Sequence, residues 1–210
     1  MEKVLHTYKL AYDPLNPVVC MDEQPKQLLA DTREAIPMKA CRSRKIDYEY
    51  RREGTCSVWM FTEPLGGFRK VEATGRRTAV DWARQVKALV DLPRYGRALK
   101  ITLVMDNLNT HDVASLYKAF EPAEAFRIAS KLDIVPTPVH GSWLNMAELE
   151  LSALTRQCLG GRVPSLEEVR DRCKSWESER NRRQTGIDWH FTVDSARTEL
   201  KRLYPKINVC

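Results

Sequence analysis

The stretch ALKITLVMD (98–106) decides the fold class, because it is a largely apolar run that stops on a carboxylate. So short and uniform a run reads as a strand buried on both faces. Upstream of it, Thr78 with Asp81 three residues later forms a capping box. The helix that follows shows one apolar face (Trp82, Val86, Leu89, Val90) before Pro93 and Gly96 end it. Earlier still, YEYRREGTCSVWMFTEP (48–64) alternates and is rich in Tyr, Val, Trp and Thr; Gly66-Gly67 make a turn, and FRKVEATG (68–75) returns as its partner. The run Val18-Val19-Cys20-Met21 stops abruptly at Asp22-Glu23, as a strand ends where it meets a site, and residues 23–47 read as irregular. The first dozen residues read as the end of a helix entering the loop YDPLNP (12–17).

Downstream, helical patterns fill 112–132 around Pro122, with Tyr117, Phe120, Phe126, Ala129 and Leu132 facing inward. IVPTPV (134–139) is a short strand, and HGSW leads into a helix from about Leu144 to Leu159. Ser165 with Glu168 caps the next helix, whose apolar positions are Leu166, Val169, Cys173 and Trp176; a last helix over about 193–204 ends at Pro205. Strands that lead into helices imply an α/β chain, a mixed sheet with helices on both faces.

Composition narrows the function only mildly. The 210 residues carry 34 Lys and Arg against 28 Asp and Glu, a net charge of +6, which suits a polyanionic partner. Six cysteines, at 20, 41, 56, 158, 173 and 210, form no Cys-x-x-Cys pair and no zinc-finger spacing with His, so they read as buried thiols of a reducing compartment. The N-terminus has no apolar segment of signal type, and the longest aliphatic run, Ile101 to Met105, is too short to span a bilayer. The chain is therefore expected to be soluble and cytoplasmic, with no membrane partner. Walker loop, Gly-x-Ser-x-Gly elbow and Rossmann glycines are all lacking, which removes nucleotide hydrolases, serine hydrolases and dehydrogenases.

The chemistry is expected at the carboxyl ends of strands, where such sheets bind ligands. Asp22 and Asp106 both stand at strand ends. Were those strands neighbours, the two carboxylates would repel and call for a proton or a cation between them. A third acid from the helix near Leu144 would complete an oxygen site for Mg²⁺ or Mn²⁺. That helix offers Glu148 and Glu150, about 200° apart on its wheel, so only one can face the site. Periodicity leaves the choice open: Leu144, Ala147, Leu151 and Leu154 flank Glu148, and Met146 and Ala153 flank Glu150.

Three strings, in order, resemble the motifs of the DDE-type transposases of bacterial insertion sequences, in the broad mariner-like superfamily. They are VVCMDEQP (18–25), VMDNLNTH (104–111) and HGSWLNMAELELSALTRQCL (140–159). The resemblance runs from about residue 12 to 205. It implies a ribonuclease-H-like fold with a five-stranded mixed sheet and a catalytic trio of Asp22, Asp106 and Glu148, the glutamate being the one that the Leu-Asn-x-x-Glu motif places at 148. It further implies two ions of Mg²⁺ or Mn²⁺ per active site, with Asp22 bridging them, for cleavage of double-stranded DNA and 3′-hydroxyl strand transfer. Residues 1–16 are then the tail of a linker helix and loop, 17–160 the catalytic core and 161–210 a C-terminal helical extension.

Asn107, Asn145 and His111 are expected around the carboxylates, and Arg42, Arg44, Lys45, Arg180, Arg182 and Arg183 on the DNA backbone. Members of the family usually carry helix-turn-helix modules upstream. This chain has no room for them before Asp22, so it is expected to be the catalytic half, able to form a homodimer. The alternatives are a ribonuclease-H-like nuclease without strand transfer and a non-catalytic DNA-binding remnant.

Overall fold

A long hairpin organises the sheet. In the computed structural model, which describes residues 1–108 and 111–204, strand β1 (Val18–Asp31) and strand β2 (Tyr50–Glu63) pair antiparallel from Cys20↔Thr62 to Asp31↔Tyr50. Asn109, Thr110, Pro205 and Cys210, which the motifs and the cysteine count include, lie outside the described residues. β2 pairs antiparallel with β3 (Phe68–Thr74) across a turn in which Gly67 takes φ 61°, a left-handed conformation that glycine adopts without steric cost. On its other side β1 runs parallel to β4 (Ile101–Met105), which runs parallel to β5 (Leu132–Pro136). The order β3-β2-β1-β4-β5 gives the five-stranded mixed sheet expected.

The first strand departs from expectation. β1 does not end at Asp22 but continues to Asp31, because β2 goes on supplying a partner after β4 has stopped. Pro25 is tolerated inside the strand for the same reason: it lies where β1 no longer has a second neighbour. Residues 26–31 and 50–56 thus leave the sheet as a two-stranded ribbon, crowned by the exposed segment 32–49. Arg162 clamps the ribbon's far end, where the crown begins, with hydrogen bonds to Asp31 Oδ1 (2.6 Å) and to the carbonyls of Asp47 (2.8 Å), Tyr48 (3.1 Å) and Glu49 (2.9 Å).

Alternation along the strands makes two cores. Val19, Met21, Trp59, Phe61, Leu103 and Met105 meet α2 (Ala79–Val90), α3 (Ala114–Ala119) and α4 (Pro122–Ser130) on one face. Cys20, Val58, Met60, Val104 and Val135 meet α1 (Glu2–Tyr8), α5 (Met146–Leu154), α6 (Leu166–Arg183) and α7 (Val193–Glu199) on the other. Both capping signals act: Thr78 and Asp81 form a full box at α2, and Ser165 accepts from the Glu168 amide at α6. α1 is not a loose tail, since Val4 and Leu5 are fully buried.

The inward face of 112–132 is corrected. Tyr117 and Phe126 are exposed, whereas Leu116, Ala125 and Ile128 are buried, because the chain breaks at Phe120 and Pro122 restarts the helix in a new phase. Cys41 is exposed on the ribbon, unlike Cys20, Cys56 and Cys173, which are buried as expected. α6 covers the outer edge of β3. Asn181 exchanges two hydrogen bonds of 2.7 Å with the backbone of Arg69, and Arg170 donates to the Ala73 carbonyl at 2.9 Å, so the edge is closed to foreign strands. Among the described residues no helix is long and apolar enough to cross a membrane.

Candidate active site at the carboxyl edge of the sheet

The register of the central strands brings the first two acids level. Cys20 lies beside Val104 in the parallel pair, so Asp22 and Asp106, each two residues further on, leave the same edge. Asn145 places the third. Its Oδ1 accepts from the Ala147 amide at 3.1 Å as the N-cap of α5, while its Nδ2 donates to the Met21 carbonyl at 2.7 Å. One side chain therefore starts the helix and fixes that start to the strand residue preceding Asp22. Expected around the carboxylates, Asn145 here spends its amide on the backbone of Met21 and Ala147.

Within α5 the two glutamates part company. Glu148 lines a groove of about 380 Å³ together with Asp22, Gln24, Ser152 and Arg156. Glu150 turns to the core, where Arg69 Nη2 (2.8 Å) and Arg180 Nη2 (2.9 and 3.1 Å) neutralise it. The Arg69 side chain is fully buried and that of Glu150 is 4% exposed. Arg180 also lies over Trp176, its guanidinium carbon 5.4 Å from the ring centroid. Arg180, expected on the DNA backbone, thus places its charge on Glu150. Arg182 and Arg183 are exposed and both pair with Glu179. Arg42, Arg44 and Lys45 sit exposed on the ribbon crown.

Electrostatics link the three acids. The Asp22 carboxyl is pushed up to about 7, first by burial and then by the charges of Asp106 and Glu148, against the pull of the Glu23 amide and of His111. The Glu23 N–H donates to Asp22 Oδ1 at 2.8 Å. Asp106 Oδ1 lies 2.5 Å from His111 Nδ1, an arrangement in which the imidazole donates to the carboxylate. The ring is buried and stacked on Trp82, with centroids 5.9 Å apart and planes 20° off parallel. Asn107 lies exposed beside Asp106 at the rim of an adjoining depression.

Among the described residues, none of the three acids forms an ion pair with Lys or Arg. The donor set is the oxygen chemistry that suits a hard divalent cation, and the Asp22 carboxyl is raised chiefly by burial, with the like charges of Asp106 and Glu148 adding to it. As they stand, no three such side chains among the described residues are close enough to hold an ion together. Sequence reasoning missed Arg156, which the π-helical turn Thr155–Leu159 after α5 brings to the groove. An irregular helical turn leaves no periodic signature by which to find it.

The profile of the DDE superfamily endonucleases matches residues 17–170. This chain belongs to that family. The DDE endonuclease domain also shares its ribonuclease-H-like fold with solved transposase structures. The catalytic domain of the Mos1 mariner transposase matches with a TM-score of 0.56 at 14% identity, over 88% of this chain and 82% of that one. The Mos1 mariner paired end complex with Mn matches with 0.55 at 17%, over 88% and 55%. The Mos1 paired-end complex with left transposon end gives 0.56 at 14%, over 88% and 55%. At such identities the likeness is one of fold, and this domain spans about 55% of the transposase length in those complexes. No curated protein sequence matches it.

Proposed function

We propose that this DDE endonuclease domain is the catalytic domain of a DNA transposase, cleaving DNA phosphodiesters and joining 3′-hydroxyl ends with two divalent ions, Mg²⁺ or Mn²⁺. The observation that carries the reading is that three acids leave the same edge of the sheet with no lysine or arginine paired to any of them among the described residues. Asp22 and Glu148 line one groove, and Asp106, on the neighbouring strand, is near enough to raise the Asp22 carboxyl. The related folds include Mos1 complexes described with Mn, with Mg and as a strand transfer complex, which supports the same reading here.

Asp22, Asp106 and Glu148 would hold the ions, which when bound activate an attacking oxygen and neutralise the leaving one. The remaining work falls to the chain itself. Asn145 keeps the start of α5 against β1, and His111 orients Asp106. Arg156 in the groove and Arg42, Arg44 and Lys45 on the ribbon would offset the repulsion between the acids and the phosphate backbone.

Supercoiled plasmid incubated with Mg²⁺, followed by an assay joining a labelled 3′ end to target DNA, tests the reading. The parent chain should nick and join, and Asp106→Asn and Glu148→Gln should do neither. Nicking without joining would make the domain a nuclease of the same fold. DNA binding with no nicking in either metal would leave a non-catalytic remnant and sink the proposal.

A further inference from the structure

Glu23, which is among the residues lining the groove, carries a second carboxylate with little exposure. Glu23 follows Asp22 in β1 and so faces the other side of the sheet, towards α2. Its side chain is 6% exposed, and its Oε2 has no hydrogen-bond partner among the described residues. His111 Nε2 faces it at 4.0 Å, equally buried and equally without a hydrogen bond. The far side of the same ring meets Asp106 through Nδ1, and the ring is enclosed by Trp82 and by Trp59, whose centroid is 6.2 Å away. On its outer side Glu23 Oε1 accepts from Arg77 Nη1 at 3.4 Å, just ahead of α2.

Among the described residues Glu23 caps no helix and meets lysine or arginine only in this long approach, yet burying a carboxylate is costly unless it is compensated. Its position is explained by what it does to the imidazole. Asp106 follows the last residue of β4, so no strand ladder orients its carboxylate; the His111 bond does. The tryptophans fix the plane of the ring but not which edge faces which way. A half-turn about Cβ–Cγ would present ring carbons to both Asp106 and Glu23 and lose both nitrogen–carboxylate approaches. Outer carboxylates orient imidazoles in this way around metal centres.

We propose that Glu23 is a positioning residue for the Asp106 carboxylate, acting through the His111 ring, and thereby tunes how tightly the site holds a divalent cation. This rests on the reading of Asp106 as a metal-holding residue.

The test is the Mn²⁺ concentration at which the melting temperature of the full chain is half-way to its metal-saturated value. Free Mn²⁺ measured by electron paramagnetic resonance provides a second readout. His111→Phe keeps the stacking and loses both nitrogens; it should raise the midpoint by roughly 10- to 100-fold. Glu23→Gln keeps size and loses charge, and should raise it by about 3- to 10-fold, with the metal-free melting temperature little changed. In the His111→Phe background the Glu23→Gln effect should vanish, because its route to Asp106 is gone. A Glu23→Gln midpoint equal to that of the parent, or an effect undiminished without His111, overturns the proposal. If Glu23→Gln fails to fold, Glu23→Asp must show the same dependence on His111, and its absence is equally fatal. A parent chain with no Mn²⁺ response that Asp22→Asn removes would bring down the metal reading itself, and this inference with it.

Discussion

Two carboxylate regions built from one short helix stand in contrast. At Glu150 the protein supplies its own counter-ions: Arg69 from β3 and Arg180 from α6 close on it in the interior. At Glu148, two residues earlier, the neighbours are Asp22 and, at the same edge, Asp106, and no lysine or arginine pairs with any of the three among the described residues. The first region is electrostatically complete and holds α5, α6 and β3 together. The second is left in deficit at a groove open to solvent. On the proposed function, the acids that the fold leaves without lysine or arginine would take a cation from outside, whereas the neutralised one is architecture.

The sharpest way to break this contrast is kinetic. Asp106→Asn or Asp22→Asn should lower plasmid nicking by about 10³-fold or more, since metal-held carboxylates supply several kcal/mol of transition-state stabilisation. Folding should survive, so a variant that unfolds would move the residue into the architectural class. The reverse holds for the other region. Glu150→Ala should cost about 3–5 kcal/mol in urea unfolding, because Arg69 would stay buried and unpaired, while Glu148→Gln should leave stability level or slightly higher. Equal losses at the two positions would erase the distinction.

A finer measure is the pH dependence of metal-free stability. The Asp22 carboxyl stands near 7 in the folded chain against 3.8 as its ordinary value, so the folded state binds the proton more tightly than the unfolded one. Its contribution is whole below about pH 4 and is lost as pH rises towards 7, on the order of 2 kcal/mol once water in the groove is allowed for. Urea melts from pH 4.5 to 7.5 should show that fall in the parent chain and a flatter profile in Asp22→Asn. Millimolar Mg²⁺ should flatten the parent profile too, by supplying the charge the groove lacks.

The smallest effect concerns the basic residues. Neutralising Arg42, Arg44 and Lys45 together should weaken binding to every duplex alike, from a dissociation constant on the order of 10⁻⁴–10⁻⁶ M, and reduce the salt slope by about 0.9 for each phosphate left without its cation. Arg180→Ala should leave that slope unchanged and instead lower stability, its charge belonging to Glu150. Fluorescence titrations of unrelated duplexes at several salt concentrations separate the two.

Local chemistry wrote much of this molecule into its sequence. The apolar run ending at Asp106, the Thr78 and Ser165 caps and the Gly66-Gly67 turn each depend on a few adjacent residues, and each formed near where it was read. Strand alternation likewise sorted Met21 and Cys20 to opposite cores. What lay beyond reach was whatever a distant segment decides. β1 runs past Asp22 because β2 stays beside it. Tyr117 and Phe126 face out because Pro122 resets the helix and different residues meet the sheet. Periodicity could not choose between Glu148 and Glu150, as both lie on a helix apolar nearly all round. The choice belongs to Arg69 and Arg180, remote in the chain, which claim one carboxylate for the interior and leave the other facing Asp22. A sequence displays the charge that a side chain carries; only the folded chain shows which opposite charge it meets.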